Sequence, residues 1–308
     1  DDKWADFFNV IKPGNWEGTN VLHYQSGEMD QRIRDEQGFQ TALNKVKSEL
    51  LSERNKRVRP VRDEKAITSW NAMLAASLFE SYKYVKDARF VDVALNILNR
   101  IKQQWELNHH LPRILNYKTG KGMLDDYAYT VIAFYRAYEI THNQEWLDLT
   151  QAIFSKTLEA FDVDKALLNY YPASEYLFSR KTEWMDTVIP SSNALIANIA
   201  FDLGYVLKNT EYTQKGEAML QTMTELMQKH PLMLGAWLDA ALSSKEKIYV
   251  SIGEHYNVGE IRDYFAKEYL FPDVLPLTQG ENNDILVCQG NECYAPVKSI
   301  NEALALFR

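Results

Sequence analysis

The helical patterns along this chain alternate between two kinds, and this alternation limits the folds that it can adopt. Helices with one apolar stripe are predicted around 39–51, 91–105, 146–161 and 212–227. In each of them apolar residues recur at i, i+3 and i+4, so one face is buried and the opposite face is solvated. Such helices form the outside of a helical protein.

A second kind of helix follows each of these and is apolar on nearly every side. These helices are predicted at 70–79, 127–138, 193–207 and 232–242. A helix that is apolar all round has to be surrounded by protein. Outer and inner helices that alternate four times are typical of helical hairpins in a ring. We therefore predict a mainly α fold, an (α/α) toroid of helical hairpins that is complete or partial.

The pattern changes near residue 247. Short strands alternate there with amphipathic helical segments, and Ser299 is a predicted N-cap of the last helix. We predict a helical-hairpin domain over 1–246, which opens with an irregular segment at 1–37. A small α/β segment follows over 247–308.

Composition excludes several classes of function. The net charge is −8 and no long run of Lys or Arg occurs, so no nucleic-acid or membrane partner is expected. No apolar run approaches the roughly 20 residues of a membrane span. The first residues lack the basic and apolar regions of a signal peptide. We expect a cytoplasmic location for a protein whose amino-terminal part is truncated here.

The two cysteines, Cys288 and Cys293, are too few for a disulfide framework. They lie on either side of a predicted hairpin turn, and two ligands make at most half of a zinc site. Structural thiols are the favoured interpretation. A cross-strand disulfide and a redox role stay open. No metal or cofactor motif occurs, so none is predicted.

Polar side chains concentrate immediately before the inner helices, in segments 57–71, 122–128, 179–193 and 229–231. In antiparallel hairpins, the amino ends of the inner helices all emerge on one face. These segments are therefore expected to meet at one central cavity. The charged residues expected there are Arg59, Arg62, Asp63, Lys65, Asp125, Asp126, Arg180 and Asp186.

Two interpretations of these groups are open. Acids at a helix amino end interact favourably with the helix dipole and cap free N–H groups, which accounts for adjacent Asp125 and Asp126 without any ligand. Cations such as Arg59, Lys65 and Arg180 oppose the dipole there, so they are better explained as ion partners of the acids. Such a network can serve stability or a binding site.

Five segments of the chain resemble one known family. They read "KPGNWEGTNVL", "RVRPVRDEKAITSWNAM", "MLDDYAYTVIAFYRAYE", "SRKTEWMDTVIPSSNA" and "CQGNECYAPV", and together they span nearly the whole chain. In order and spacing they resemble the helical part of the YyaL-type thioredoxin-domain-containing proteins, whose animal relatives are called spermatogenesis-associated.

The resemblance implies an amino-terminal thioredoxin-like domain followed by a toroid. That toroid is similar to N-acylglucosamine 2-epimerases and six-hairpin glycosidases. The epimerases work with histidines at the ends of their inner helices, whereas this chain has Asp, Lys and Arg there. Because the thioredoxin-like domain and the first toroid helices are missing here, the resemblance also implies a longer natural protein.

The expected ligand is a carbohydrate or polyol. Its hydroxyls suit Asp, Arg and Asn, and its apolar faces suit aromatic rings. A carboxylate pair can divide the roles of acid and base, as in glycosidases or sugar epimerases. We predict Asp63, Asp126 and Asp186 as catalytic carboxylates, with Asp125 as a cap. The other predicted site residues, which orient the acids or line the wall, are Arg59, Lys65, Trp70, Asn71, Tyr127, Arg180 and Asn193.

A second hypothesis is non-catalytic. The toroid would serve as a structural platform for the thioredoxin-like domain, and the charged residues would serve its stability.

Overall fold

The computed structural model describes residues 2–24, 27, 31, 37–117, 120–162, 166–173, 181–253, 255–268, 270, 272–276, 284–290 and 292–307. Its contacts group the chain into two compact units, Asp1–Glu64 and Lys65–Arg308. The predicted boundary at residue 246 lies inside the second unit, and the division into domains at that point remains a prediction.

Within its described residues, the first unit has helices α1 (Asp2–Phe7) and α2 (Phe39–Asn55). The stripe predicted over 39–51 buries Phe39 and Leu43 against Phe7 and Phe8. Helix α1 lies within the segment 1–37 that was predicted to be irregular, so that prediction missed one short helix.

The second unit carries the alternating helices. They are α3 (Thr68–Val85), α4 (Ala88–Asn108), α5 (Leu124–Thr141), α6 (Gln144–Phe161), α7 (Ser192–Val206), α8 (Thr210–Lys229) and α9 (Gly235–Glu246). Helix α5 is buried on every side, whereas α4 buries only its apolar stripe. None of the helices in the described part of the chain is long and apolar enough to cross a membrane.

The inner helices α3, α5, α7 and α9 adjoin one another in chain order, and α4, α6 and α8 each pack on the inner helix that precedes them. Their shared core runs from Phe79 of α3 through Phe134 of α5 to Trp237 of α9. The predicted mainly α fold of helical hairpins is thereby confirmed. The described helices form an arc of an (α/α) toroid.

The three connections from an inner helix to the next outer helix are 86–87, 142–143 and 207–209, and each ends in the same pair of residue types. The first residue of each pair, Lys86, His142 or Lys208, has left-handed backbone, with φ of 60°, 55° and 52°. The second is Asp or Asn, and its side chain accepts a hydrogen bond from the backbone N–H two residues later. The left-handed residue reverses the chain and the acceptor caps the next helix, so connections of two or three residues suffice to form these antiparallel hairpins.

The chain ends in a small α/β segment that belongs to the second unit. Its elements are β1 (Ile248–Ile252), α10 (Val258–Lys267), β2 (Asp273–Pro276), β3 (Leu286–Gln289), β4 (Glu292–Cys293) and α11 (Ile300–Ala305). The strand order is β2-β1-β3-β4, with β1 parallel to β2 and antiparallel to β3. The predicted cap, Ser299, accepts a hydrogen bond from the N–H of Glu302. The predicted α/β character of this segment is confirmed.

Cys288 and Cys293 form a disulfide, which corrects the prediction of structural thiols. The antiparallel pairing of β3 with β4 sets the two residues directly opposite each other, with 4.0 Å between their Cα atoms. Disulfides are rare in cytosolic proteins. The cytoplasmic location remains a prediction.

An ion network joins the α/β segment to the carboxyl ends of the inner helices. We call it the carboxyl-end network, and its members are Glu80, Lys83, Lys86, Arg136, Glu139, Asp202, Lys247, Arg262, Asp263 and Asp273. At its centre, the Lys247 ammonium lies 2.5 Å from Asp202 and 3.0 Å from Asp273. Arg136 binds Glu80 through Nε at 2.7 Å.

Candidate functional site

The inner helices begin without side-chain caps of their own. The residues that precede them are Ile67, Met123, Ser191 and Leu234, and none of these side chains caps the helix that follows. The outer helices instead carry the Asp and Asn caps described above. Because the first N–H groups of a buried helix still need acceptors, other side chains must supply them.

Asp126 supplies acceptors to two inner helices. Its carboxylate accepts hydrogen bonds from the N–H of Ser69 in α3 and of Met123 before α5, both at 2.9 Å. The side chain is completely buried. The sequence assigned the capping role to Asp125, and that assignment is wrong, because Asp126 is the residue that faces the free N–H groups.

Asp186 does the same for the other two inner helices. It accepts from the N–H of Ser191 at the start of α7 and from that of Ala236 in α9, both at 2.8 Å. Nearby, the Glu183 carboxyl accepts from the Ser192 hydroxyl at 3.0 Å. The acids thus hold together the amino ends of the inner helices.

Asp125 has a different environment. Arg113 donates to both of its carboxylate oxygens, at 2.7 and 2.6 Å, and the Tyr170 hydroxyl donates to one of them at 3.2 Å. Arg113 also reaches Asp126 at 3.1 Å. Sequence reasoning missed Arg113, because it looked for cations only at the helix starts. The available signal was that Arg113 lies in the same connection, 12 residues before Asp125.

A close approach of backbone positions this connection. The N–H of Gly122 donates to the carbonyl of Leu111 at 2.7 Å. A Cβ atom on Gly122 would lie 2.8 Å from that same carbonyl oxygen and 3.2 Å from the Cβ of Asp126. Glycine is therefore required where the segment before α5 folds back toward Asp126.

Tyr129 lies one turn after Asp125 on α5, and its hydroxyl is buried without a hydrogen-bond partner among the described residues. Only 5% of the residue is exposed. Burial raises the pKa of Tyr129, and the charges of Asp125, Glu183 and Asp186 raise it further. A buried polar group without a partner is uncommon and calls for an explanation.

The residues that lie together at the starts of the inner helices are given one name. We call Arg113, Asp125, Asp126, Tyr129, Tyr170, Glu183 and Asp186 the amino-end cluster.

Two carboxyl groups of this cluster hold their protons more tightly than usual. Burial, together with the charge of Asp125, raises the pKa of Asp126 to about 6, although Arg113 opposes the shift. Burial and the charge of Asp125 also raise the pKa of Glu183, against the hydrogen bond from Ser192. An acid with a raised pKa beside a carboxylate that is paired with an arginine is an arrangement that suits acid/base chemistry.

The other charged residues expected at the site are Arg59, Asp63, Lys65 and Arg180. Arg59 and Asp63 are in the first unit with exposed side chains, and Arg59 donates to Asn55. Lys65 is exposed at the start of the second unit. Arg180 lies outside the described residues. The assignment of these four residues to the site remains a prediction.

The four residues predicted to line the wall divide into two kinds. Trp70 is 62% exposed, and Asn71 bonds to the Ile67 carbonyl and lines a groove between α3 and α4. Tyr127 and Asn193 are buried, and they hold the backbone of segments that adjoin the cluster. The Tyr127 hydroxyl accepts from the Leu111 N–H, and the Asn193 amide donates to the carbonyls of Leu168 and Glu183.

Comparison with known proteins gives distant likenesses. No family model matches the sequence. The chain is similar to the uncharacterized protein B0495.5 of Caenorhabditis elegans, with 21% identity over 363 aligned residues that cover 99% of this chain and 48% of the relative. The chain thus spans about half the length of the curated relative that it matches.

Two solved structures are similar at a low level. One is an inactive variant of the alpha-1,6-mannanase GH76A of Salegentibacter sp. HEL1_6 in complex with alpha-1,6-mannotriose, with a TM-score of 0.44, 17% identity and coverage of 63% of this chain and 56% of that chain. The other is the GH76 alpha-mannanase BT2949 of Bacteroides thetaiotaomicron, with a TM-score of 0.47, 15% identity and coverage of 59% and 53%. At these values the neighbours do not indicate a substrate for this chain.

Proposed function

We propose that the amino-end cluster binds a carbohydrate or a similar polyol. The observation that carries the proposal is the buried Tyr129 hydroxyl, which has no partner and is influenced by the charges of three carboxyl groups. The hydroxyl can still form a hydrogen bond, and each carboxylate has room for more donors than the protein supplies. A sugar hydroxyl both donates and accepts, so a polyol can bond to both with one kind of group.

The residues of the cluster divide into ligand-facing and supporting groups. Asp125, oriented by Arg113 and Tyr170, serves as the carboxylate that accepts from the ligand or acts as a base. Glu183, whose pKa is raised, serves as the acid. Asp126 and Asp186 hold helix ends through their N–H bonds. The proposal therefore gives the acting roles to Asp125 and Glu183, where the sequence had suggested Asp63, Asp126 and Asp186.

The test is calorimetric titration of the chain with a panel of glucose, mannose, N-acetylglucosamine, inositol and alpha-1,6-mannotriose. Tyr129→Phe removes only the hydroxyl, and Asp125→Asn removes the charge with little change of shape. Both variants are expected to fold and to lose binding of any sugar that binds the wild type.

Two controls accompany these variants. Tyr138→Phe changes another buried tyrosine of α5, and Asp148→Asn changes an exposed acid of α6. Both controls are expected to bind as the wild type does. Unchanged binding in Tyr129→Phe and Asp125→Asn, or no binding of any sugar by the wild type, would overturn the proposal.

One observation favours the non-catalytic alternative, a platform for a thioredoxin-like domain of a longer protein. Asp126 and Asp186 each accept two backbone N–H groups from the starts of inner helices, as structural residues do. Under this alternative, Asp125→Asn also lowers the melting temperature markedly, and no small ligand protects the chain in a thermal-shift assay.

A further inference from the structure

A cavity of about 390 Å³ opens at the carboxyl ends of the inner helices. Its lining comes from α3, α5, α7, α9 and α10, including Glu80, Arg136, Asn198, Asp239 and Arg262. It lies at the opposite end of the inner helices from the amino-end cluster. Its volume is in the range of small-molecule sites.

Most charges around this cavity are already matched. The carboxyl-end network contains five bases and five acids, and each base lies within ion-pair distance of at least one of the acids. Two further acids line the cavity, Asp239 and Glu246 of α9. Among the described residues, their polar partners are amides: Asn198 donates to Asp239 and Gln289 donates to Glu246, both at 3.0 Å. Two negative charges on the cavity wall are therefore uncompensated.

The spacing of these two acids is regular. Asp239 and Glu246 lie seven residues apart, so they share one face of α9 and are separated by roughly 10 Å along its axis. Leu242 of α9 lies between them, and Tyr84 and Ala266 add further apolar surface to the lining. The wall thus offers two anionic positions separated by an apolar stretch.

Asn198 also presents a hydrogen-bonding group at this cavity. Its amide nitrogen donates to Asp239, but its Oδ1 atom is buried and has no hydrogen-bond partner in the described part of the chain. An acceptor without a donor, beside an acid without a cation, fits a ligand group that is both a hydrogen-bond donor and positively charged. A primary ammonium group has both properties.

We propose that this cavity binds a linear aliphatic diamine or polyamine. Its terminal ammonium groups bind Asp239 with Asn198 at one end and Glu246 at the other, and its methylene chain packs on Leu242. Anions are disfavoured because the bases of the lining are already paired with acids. A neutral polyol is disfavoured because it has no Coulombic attraction to the two carboxylates. The inference is independent of the function proposed for the amino-end cluster.

Calorimetric titration of the 308-residue chain with spermidine tests this proposal, with octanediol as a neutral probe of similar shape. Saturable binding of one spermidine is expected, with no binding of octanediol. Because both acids are exposed, the affinity is expected to fall as salt is added.

The variants Asp239→Asn and Glu246→Gln keep an acceptor for the amide bonds while removing one charge each. Each is expected to weaken spermidine binding by about fivefold, the upper range for exposed ion pairs, and the double variant by more than tenfold. The matched control is Asp148→Asn. Asp148 is an exposed acid that accepts a bond from the Gln144 amide, as Asp239 does from Asn198, and it lies away from the cavity.

Equal weakening in Asp148→Asn and Asp239→Asn would show that spermidine binds only through the overall negative charge of the chain, and this would overturn the proposal. Equal binding of octanediol, or no saturable binding of spermidine, would overturn it as well.

Discussion

The two ends of the inner helices accommodate buried charge in opposite ways. At the carboxyl ends, buried acids and bases are interleaved, so that Asp273 lies beside both Lys247 and Arg136. At the amino ends, Arg113 faces Asp125 and Asp126, while Asp186 and Glu183 accept from neutral N–H and O–H groups.

The pKa values of Asp273 and Asp126 follow this difference, whereas burial still raises the pKa of Asp202 in the carboxyl-end network. Burial alone would raise the pKa of Asp273, but Lys247 and Arg136 outweigh it and hold the pKa of this carboxyl well below its usual range. Burial and the charge of Asp125 raise the pKa of Asp126 to about 6, because Arg113 does not offset them. A buried acid that lies between two bases stays ionised, whereas an acid whose burial is not offset holds its proton to a higher pH than usual.

The largest expected effect is at the carboxyl ends. Lys247→Met leaves Asp202 and Asp273 buried with one cation fewer, so the free energy of unfolding should fall by about 3–5 kcal/mol. Urea denaturation measures this. Lys229→Met is the control, because its partner Glu225 is exposed and the pair contributes little. Equal losses in the two variants would show that the network is not structural.

The next largest effect is the pH dependence of the free energy of unfolding that Asp126 causes at the amino ends of the inner helices. The pKa of Asp126 is about 6 in the folded chain against an ordinary value of 3.8. Its contribution to stability is therefore present below about pH 4 and is lost as the pH rises through 6. The loss is about 3 kcal/mol at most. Asp273, with its lowered pKa, acts in the opposite direction and only below about pH 4.

Urea denaturation between about pH 4 and pH 7 checks this, with Asp126→Asn as the comparison. The variant cannot titrate at this position, so its stability should decline less over this range than that of the wild type. Parallel profiles for the two proteins would show that Asp126 titrates near its ordinary value.

A smaller effect is expected from the backbone that positions Asp126. In Gly122→Ala the new Cβ meets the Leu111 carbonyl, which should cost about 1–3 kcal/mol. Gly235→Ala is the control, since its Cβ would make only an ordinary contact at 3.6 Å with Asp186. Thermal denaturation of the two variants measures the difference, and equal melting temperatures would contradict the close approach.

The smallest expected changes in stability come from removing the hydroxyl of either of two tyrosines on α5. Tyr135 donates to Asp273 at 3.2 Å, so Tyr135→Phe should cost about 1 kcal/mol. Tyr129 has no partner, so Tyr129→Phe should leave the stability unchanged or raise it slightly. A clear loss of stability in Tyr129→Phe would mean that its hydroxyl is already satisfied in the free protein, and this would remove the main support for a polyol site.

Several residues of the candidate site could be predicted from the sequence, but their individual roles could not. The clustering of Asp125, Asp126 and Asp186 before inner helices was visible in the sequence. Glu183 lay within a segment already recognised as polar and was passed over. Tyr129 was hidden in a helix that is apolar on nearly every side, where a hydroxyl without a partner cannot be distinguished from one that is satisfied.

The sequence by itself determined the hairpins, because helix periodicity and the two-residue turns, such as 142–143, depend on neighbours only a few positions away. Only the tertiary structure decided which acid serves which helix. Asp126 bonds to Ser69 across 57 positions and Asp186 to Ala236 across 50. Contacts over such separations depend on how the helices pack, so local sequence patterns do not predict them.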